Sequence, residues 1–425
     1  MKSIEELKNA EAKLKAEYEN YKSMGLKLNM ARGKPSDAQL DTVERLLGAI
    51  THTEDCFTQD GIDCRNYGVL DGIPEAKRLF ASMLEVTPEE VIVGGNSSLN
   101  LMYDTLARAM SHGVKAGCRP WSKYEKISFL CPVPGYDRHF AICEYMGINM
   151  INVPMTPEGP DMDIVEMYVS SDETIKGIWC VPKYSNPTGV SYSDETVRRF
   201  ARLRPKAEDF RVFWDCAYVL HDINDTPDYV LNILDEAKPY GNEDMFYLFA
   251  STSKITYPGA GIAAMACSKA NVKMITEELK IQTIGYDKLN QLRHCRIFPD
   301  FESLKAQMQV HLEIIRPKFM AVLEAFDREF SGFENISYTR PNGGYFISLD
   351  VPDGCASKVV ELAAKAGVVV TSAGATFPYG IDPNDRNIRI APTYPTLDEL
   401  KQALKVLCCC VKLAAVEKQL LSVNN

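Results

Sequence analysis

The sequence predicts an α/β fold: a large domain on a mostly parallel, seven-stranded sheet flanked by helices, followed by a smaller α+β domain. From about residue 88 to 270, short apolar runs alternate with helical patterns, as βαβ units require. Past a long helical stretch near 301–330 the pattern changes to a hairpin and short strands. No repeat, low-complexity tract or charged linker divides the 425 residues.

The first twenty-odd residues read as an amphipathic helix, with Ser3 and Glu6 in capping-box spacing. Runs 91–93, 127–130, 148–151, 178–181, 212–214 and 246–249 read as buried strands, and 261–266 as the seventh. Segment 333–351 reads as a hairpin turning at Pro341-Asn342-Gly343-Gly344. Runs 368–370 and 388–390 are further short strands, and a last helix opens at Thr396 with Glu399 in capping position. The expected division is an N-terminal helix and arm over 1–45 that joins the small domain, a large domain over 46–300, and the small domain over 301–425.

Composition narrows the function classes. The chain is 46% hydrophobic and 24% charged, as in a globular protein with a large core. A net charge of −10 argues against nucleic acid as the main partner. There is no uninterrupted apolar stretch of membrane-spanning length, and Met1-Lys2-Ser3-Ile4-Glu5-Glu6 is not a secretory signal, so a cytoplasmic location with no membrane partner is expected. The thirteen cysteines are scattered, odd in number and without a C-x-x-C pair, so they read as small buried hydrophobes in a reducing compartment. Six histidines without H-E-x-x-H spacing point to no metal site.

The residues that carry chemistry follow the strand runs, where ligands of such sheets gather. Lys254, in Ser251-Thr252-Ser253-Lys254, comes 39 positions after Asp215, which trails Asn186 by 29. An amine that can form a Schiff base and an acid that can pair with a pyridinium nitrogen are what a pyridoxal phosphate site requires. Taken alone, Lys254 is a surface lysine, Asp215 a turn cap, Tyr218 ordinary packing and Asn186 a turn residue before proline; their order and company favour the site. Tyr218 and Asn186 are then partners for the cofactor's phenolic oxygen. Gly94-Gly95-Asn96-Ser97-Ser98 is a glycine turn at a helix start, which reads either as a plain turn with Ser as N-cap or as an anion site to which the serines add hydroxyl donors. Arg389 is a charge inside an apolar strand and needs a partner: a structural carboxylate or that of a substrate.

Together these motifs resemble the fold-type I pyridoxal phosphate enzymes of aminotransferase class I/II, above all the bacterial aspartate aminotransferase subgroup Ic. The resemblance runs over nearly the whole chain, through Ala31-Arg32-Gly33-Lys34-Pro35, Asn66-Tyr67-Gly68, 94–100, 132–139, 186–189, 215–218, 251–254, 285–294, Gly343-Gly344 and Arg389. It implies that Lys254 holds the cofactor and, once freed, moves the substrate proton, while Asp215 keeps the ring nitrogen protonated. Tyr136 would stack on the ring, Ser97, Ser98, Ser251 and Ser253 would hold the phosphate, and Asn186 and Arg389 the α-carboxylate, with Gly33 beside them. Tyr67 would reach the phosphate of a neighbouring subunit, implying a homodimer with shared sites. The expected reaction passes an amino group from aspartate to 2-oxoglutarate by a ping-pong mechanism. An acidic substrate needs a second cation, for which Arg32, Lys288 and Arg293 are candidates and Arg32 the first choice. Alternatives on the same fold are an aminotransferase for aromatic or aminoadipate-like substrates, a β-lyase or a decarboxylase. A regulator with an aminotransferase-like domain would need a helix-turn-helix module, and none fits. One departure stands out: many relatives carry a phosphate-binding arginine eight residues after the lysine, and here that position is Ile262.

Overall fold

A computed structural model describes residues 3–423, with the side chain of Val423 left out. The N-terminal arm carries β1 (Leu28–Asn29). The large sheet takes β2 (Val91–Val93), β3 (Ser128–Val133), β4 (Asn149–Thr156), β5 (Gly159–Pro160), β6 (Ile175–Cys180), β7 (Arg211–Asp215), β8 (Phe246–Ser251) and β9 (Ala263–Ala266). The C-terminal part carries β10 (Ser337–Tyr338), β11 (Ile347–Asp350), β12 (Val368–Val369) and β13 (Asn387–Ile390).

The large sheet runs in the order β2-β9-β8-β7-β6-β3-β4-β5. All seven expected strands are present; the eighth, β5, is a two-residue hairpin return onto β4 that is too short to leave a periodic signal. β9 is antiparallel to both β2 and β8, whereas β8, β7, β6, β3 and β4 pair in parallel. With β2 sharing their direction, the carboxyl ends of six strands open on one edge. The sheet is buried on both faces, between one cluster holding Leu130, Ile178, Val212 and Leu248 and another holding Phe129, Trp179, Phe213 and Phe249. That two-sided burial explains why these strands read as unbroken apolar runs.

A third core joins the two ends of the chain. Leu7, Leu14 and Tyr18 of the Ile4–Ser23 helix pack with Phe319, Val322, Ile347, Ile388 and the Leu397–Val423 helix. The capping box at Ser3 and Glu6 is formed, as is that at Thr396 and Glu399. The hairpin forms between β10 and β11, and β13 adds to its far side. β12 leaves that sheet and pairs in parallel with β1, so it ties the arm to the C-terminal part. The Phe301–Phe330 helix serves both cores: Leu304 and Met308 face the large sheet, and Leu312 onward faces the C-terminal cluster. All thirteen cysteines are unpaired, and the three at 408–410 are buried in the last helix.

Candidate active site

The register of neighbouring parallel strands assembles the site. Asp215, the last residue of β7, lies opposite Phe249 of β8, so the Ser251–Lys254 turn emerges just beyond it on the same edge. Thr252 fixes that turn: its backbone N–H donates to Ile262 O at 2.9 Å, and its hydroxyl accepts from Ile262 N at 3.0 Å. Lys254 thereby enters a cavity of about 670 Å³ lined by Tyr136, Asn186, Asp215, Tyr218 and Arg389. Its amine lies 4.9 Å from the centre of the Tyr218 ring. Burial pushes the Lys254 pKa below its ordinary value, with the Asp215 carboxylate acting in the opposite direction. The same burial pushes the Tyr218 phenol well up.

Asp215 is buried and divided in its contacts. Oδ2 lies 3.2 Å from His139 Nε2, while Oδ1 has no hydrogen-bond partner. His139 is held by stacking on Trp179 of β6, with ring centres 4.4 Å apart and planes 10° apart. A buried carboxylate oxygen without a protein partner, bordering a cavity, fits a cationic N–H from a bound group.

Beyond β2 the chain turns through Gly94 and Gly95 into the Ser98–His112 helix, capped by Ser97 Oγ, which accepts from Asn100 N at 3.3 Å. Gly94 is required by packing, since a Cβ there would lie 2.6 Å from the Tyr286 ring; Gly95 has φ +69°. Ser253 Oγ reaches Asn96 O at 3.5 Å and Ser251 Oγ lies 3.0 Å from Ser253 Oγ, so the serine turn and the helix start form one cradle. Helix N–H groups and hydroxyls gathered in this way can hold an anion.

Arg389, on β13, reaches the cavity from the C-terminal part. Its Nη1 donates to Asp137 Oδ1 at 2.7 Å and to Asn186 Oδ1 at 3.3 Å, and Nε donates to Thr371 Oγ1 at 3.4 Å. The guanidinium lies over Phe346, 4.9 Å from the ring centre, and Nη2 keeps no partner among the described residues. Arg389 thus has a structural carboxylate in Asp137 and also lines the cavity.

The remaining sequence-predicted residues divide. Arg32 and Gly33 line the same cavity from the arm, and Arg32 is exposed with no ion pair among the described residues. Tyr67 is 80% exposed and is not among the residues that line this cavity. Lys288 is buried outside the cavity, its amine donating to Gly68 O at 3.0 Å beside Tyr67. Arg293 lines a separate cavity of about 240 Å³ that reaches Gly95, Asn96 and Ile262, and its buried Nε has no partner. Within one chain, therefore, neither Lys288 nor Arg293 sits beside Arg389.

The residue reading missed Asp137, Arg138 and His139 individually, although all three follow Tyr136 in one run. Tyr136 caps the Asp137–Tyr145 helix, so a position three further on returns to its face; that spacing was the available signal for His139. Asp137 and the exposed Arg138 also line the cavity. Phe346 and Thr371 carried no signal, because only the tertiary fold brings them to Arg389. Among the described residues no cluster of three or more His, Cys, Asp or Glu could hold a metal, and no helix is long and apolar enough to cross a membrane.

A strand-edge lysine, a carboxylate with one free oxygen and a serine-rich helix start on this sheet define the class: fold-type I aminotransferases. The family model for aspartate amino-transferase matches residues 2–422, and the chain belongs to that family. An aspartate aminotransferase of Corynebacterium glutamicum is 44% identical over 404 residues, covering 95% of this chain and 93% of its own length. A crystal structure of an aspartate transaminase from C. glutamicum aligns with TM-score 0.94 at 43% identity over 97% of both chains. An α-aminoadipate aminotransferase of Thermus thermophilus, 19% identical, shares the fold at TM-score 0.72 over 93% of both chains. The protein is an aminotransferase, a transferase that acts between amino and 2-oxo acids.

Proposed function

We propose that the chain is a pyridoxal phosphate-dependent aspartate aminotransferase that passes the amino group to 2-oxoglutarate by a ping-pong mechanism. The observation that carries this is the shared cavity, with Lys254 and the unpartnered Asp215 Oδ1 on one side and the free arm of Arg389 on the other. When bound, pyridoxal phosphate supplies an aldehyde for amine exchange and a ring that accepts the electron pair of the Cα–H bond.

The chain's own residues do the rest. Asp215 Oδ1 holds the proton on the ring nitrogen; Asn186 and Tyr218 attend the phenolic oxygen; and Asn96, Ser97, Ser98, Ser251 and Ser253 cradle the phosphate. Lys254, with its lowered pKa, would take the proton from the substrate Cα and deliver it to the cofactor's C4′ carbon. Tyr136 and Phe346 keep water from the reacting carbon. Arg389 binds the α-carboxylate, and Arg32 the distal one of an acidic substrate.

Homodimerisation with shared sites is supported by a row of exposed large side chains: Tyr67 at 80%, Ile281 at 91% and Ile284 at 64%. Gly68 N donates to Ile284 O at 3.0 Å, so these side chains border one surface, from which Tyr67 can enter a second copy. The unpaired cysteines support a reducing, cytoplasmic setting. A large domain and a smaller one joined by the N-terminal helix are supported by the separate cores, with the Phe301–Phe330 helix crossing the proposed 300/301 boundary to serve both.

The test is a half-reaction. The protein loaded with pyridoxal phosphate and given aspartate alone should release one equivalent of oxaloacetate per site and change its visible spectrum. A protein that takes up no pyridoxal phosphate overturns the cofactor assignment, and one that takes it up but leaves aspartate intact overturns the substrate.

A further inference from the structure

We propose that Asp137 is an internal stand-in for the substrate's α-carboxylate: it occupies Arg389 between turnovers and yields it to each incoming amino or 2-oxo acid. This rests on reading Arg389 as the α-carboxylate cation.

The geometry is that of a bound carboxylate. Asp137 Oδ1 lies 2.7 Å from Arg389 Nη1, the separation of a charge-assisted hydrogen bond. Asp137 makes no other side-chain hydrogen bond or ion pair among the described residues. Its side chain lines the cavity at 33% exposure, whereas that of Arg389 is at 7%. The cation is therefore fixed by Thr371, Asn186 and Phe346, and the acid has room to turn away.

A displaced Asp137 has a second resting place. It is the first residue of the Asp137–Tyr145 helix, where free backbone N–H groups favour a carboxylate, and Arg138 beside it is exposed and unpaired. One carboxylate on the guanidinium is thus replaced by another at little net change in charge. The exchange keeps Arg389 from standing buried and unpaired when no substrate is present, a state that is costly for a buried charge. It also weakens ground-state binding of every carboxylate ligand by the strength of the internal pair, and so favours product release.

The test is calorimetric titration of the cofactor-loaded protein with maleate, a dicarboxylate without an amino group to react. Asp137→Asn keeps the size of the side chain and a neutral hydrogen bond to Arg389. Because a charged hydrogen bond is roughly twice as strong as a neutral one, maleate binding should tighten by about tenfold. KM for aspartate should fall by more than kcat changes. Asp137→Ser, whose hydroxyl suits a helix start, provides a second variant should the first fold poorly. Unchanged or weaker maleate binding in the folded variants overturns the proposal, and would make Asp137 a fixed support for Arg389. Arg389→Lys separates the two ideas: if it binds maleate as the parent does, the assignment of Arg389 itself fails.

Discussion

Gly33→Ala adds one methyl group, yet the structure makes it a severe change. A Cβ at this position would lie 2.3 Å from Phe346 Cζ and 2.6 Å from Cε1, against the 3.5–4.0 Å of a relaxed carbon contact. The ring must therefore retreat by more than about 1 Å. The Arg389 guanidinium packs on the same ring, 4.9 Å from its centre, and its bonds to Asn186 at 3.3 Å and Thr371 at 3.4 Å are already long. A shift of about 1 Å breaks both and misplaces the substrate carboxylate, an error that costs on the order of 10²-fold in rate. The overpacking itself costs about 1–3 kcal/mol of stability. Steady-state kinetics with aspartate should show kcat/KM falling between about 10- and 100-fold, with a lower urea midpoint measured in parallel. Adding Phe346→Leu makes room for the methyl group and should recover part of both losses, a non-additivity that contact between the sites demands. A Gly33→Ala protein with parental kcat/KM and midpoint would refute the argument.

Arg32→Ala should raise KM for aspartate by about tenfold or more, with a smaller effect on alanine, because a lost charged hydrogen bond is worth about 1.5–3 kcal/mol; intact aspartate turnover in Arg32→Ala beside a dead Arg389→Ala would show that another cation holds the distal carboxylate. Burial holds His294 and His311 each down at a pKa of about 4, against an ordinary 6.5. The folded state then binds fewer protons than the unfolded one between those values, so the stability they confer is full above about pH 6.5 and is lost as pH falls towards 4, about 3 kcal/mol each. Denaturant titrations across that window should show a shallower pH slope in His294→Gln and His311→Gln than in the parent. Arg293→Ala should weaken pyridoxal phosphate binding by about tenfold, read as cofactor retained on dialysis, if its charge offsets the phosphate from the adjoining cavity.

Much of the fold was legible because its signals are local. Buried parallel strands write themselves as apolar runs, and the capping boxes at Ser3 and Thr396 are fixed by residues three apart. The residues proposed to hold the cofactor could be picked out for a related reason: Asp215, Lys254 and the Gly94–Ser98 turn each close or follow a strand, and a parallel sheet carries strand ends to one edge. What the sequence concealed depends on contacts across the chain. The partnership of Arg389 with Asp137 spans 252 positions, and the packing of Gly33 on Phe346 joins the arm to the hairpin. β12 looked like one more strand of the small sheet, but its partner β1 is too short to announce itself. Lys288 and Arg293 share one helix and one motif, yet one amine is committed to Gly68 O while the other residue faces a cavity, a difference set by their separate faces.

Ile262 gains a physical account from its surroundings. At 1% exposure it belongs to the core under the large sheet with Ile255, Ala264 and Leu292, and its backbone N–H is committed to Thr252 Oγ1. An arginine placed there would give up this apolar packing and would have to carry its guanidinium out into the cavity that Ile262 borders with Asn96 and Arg293. The neutralising groups are displaced to the two sides of the loop. On one side stand the helix start at Ser98 with Ser251 and Ser253; on the other, Asn290 Nδ2 donates to Gly261 O at 2.8 Å while its Oδ1 accepts from Arg293. Arg293 is thus tied to the very loop that carries Ile262, and it shares a cavity with Gly95 and Asn96. A phosphate held this way relies on dipoles and hydroxyls for contact and on a more distant cation for charge. Cofactor retention should accordingly fall more steeply with added salt than in relatives that keep a direct arginine, since the longer-range part of the attraction is the part that ions screen.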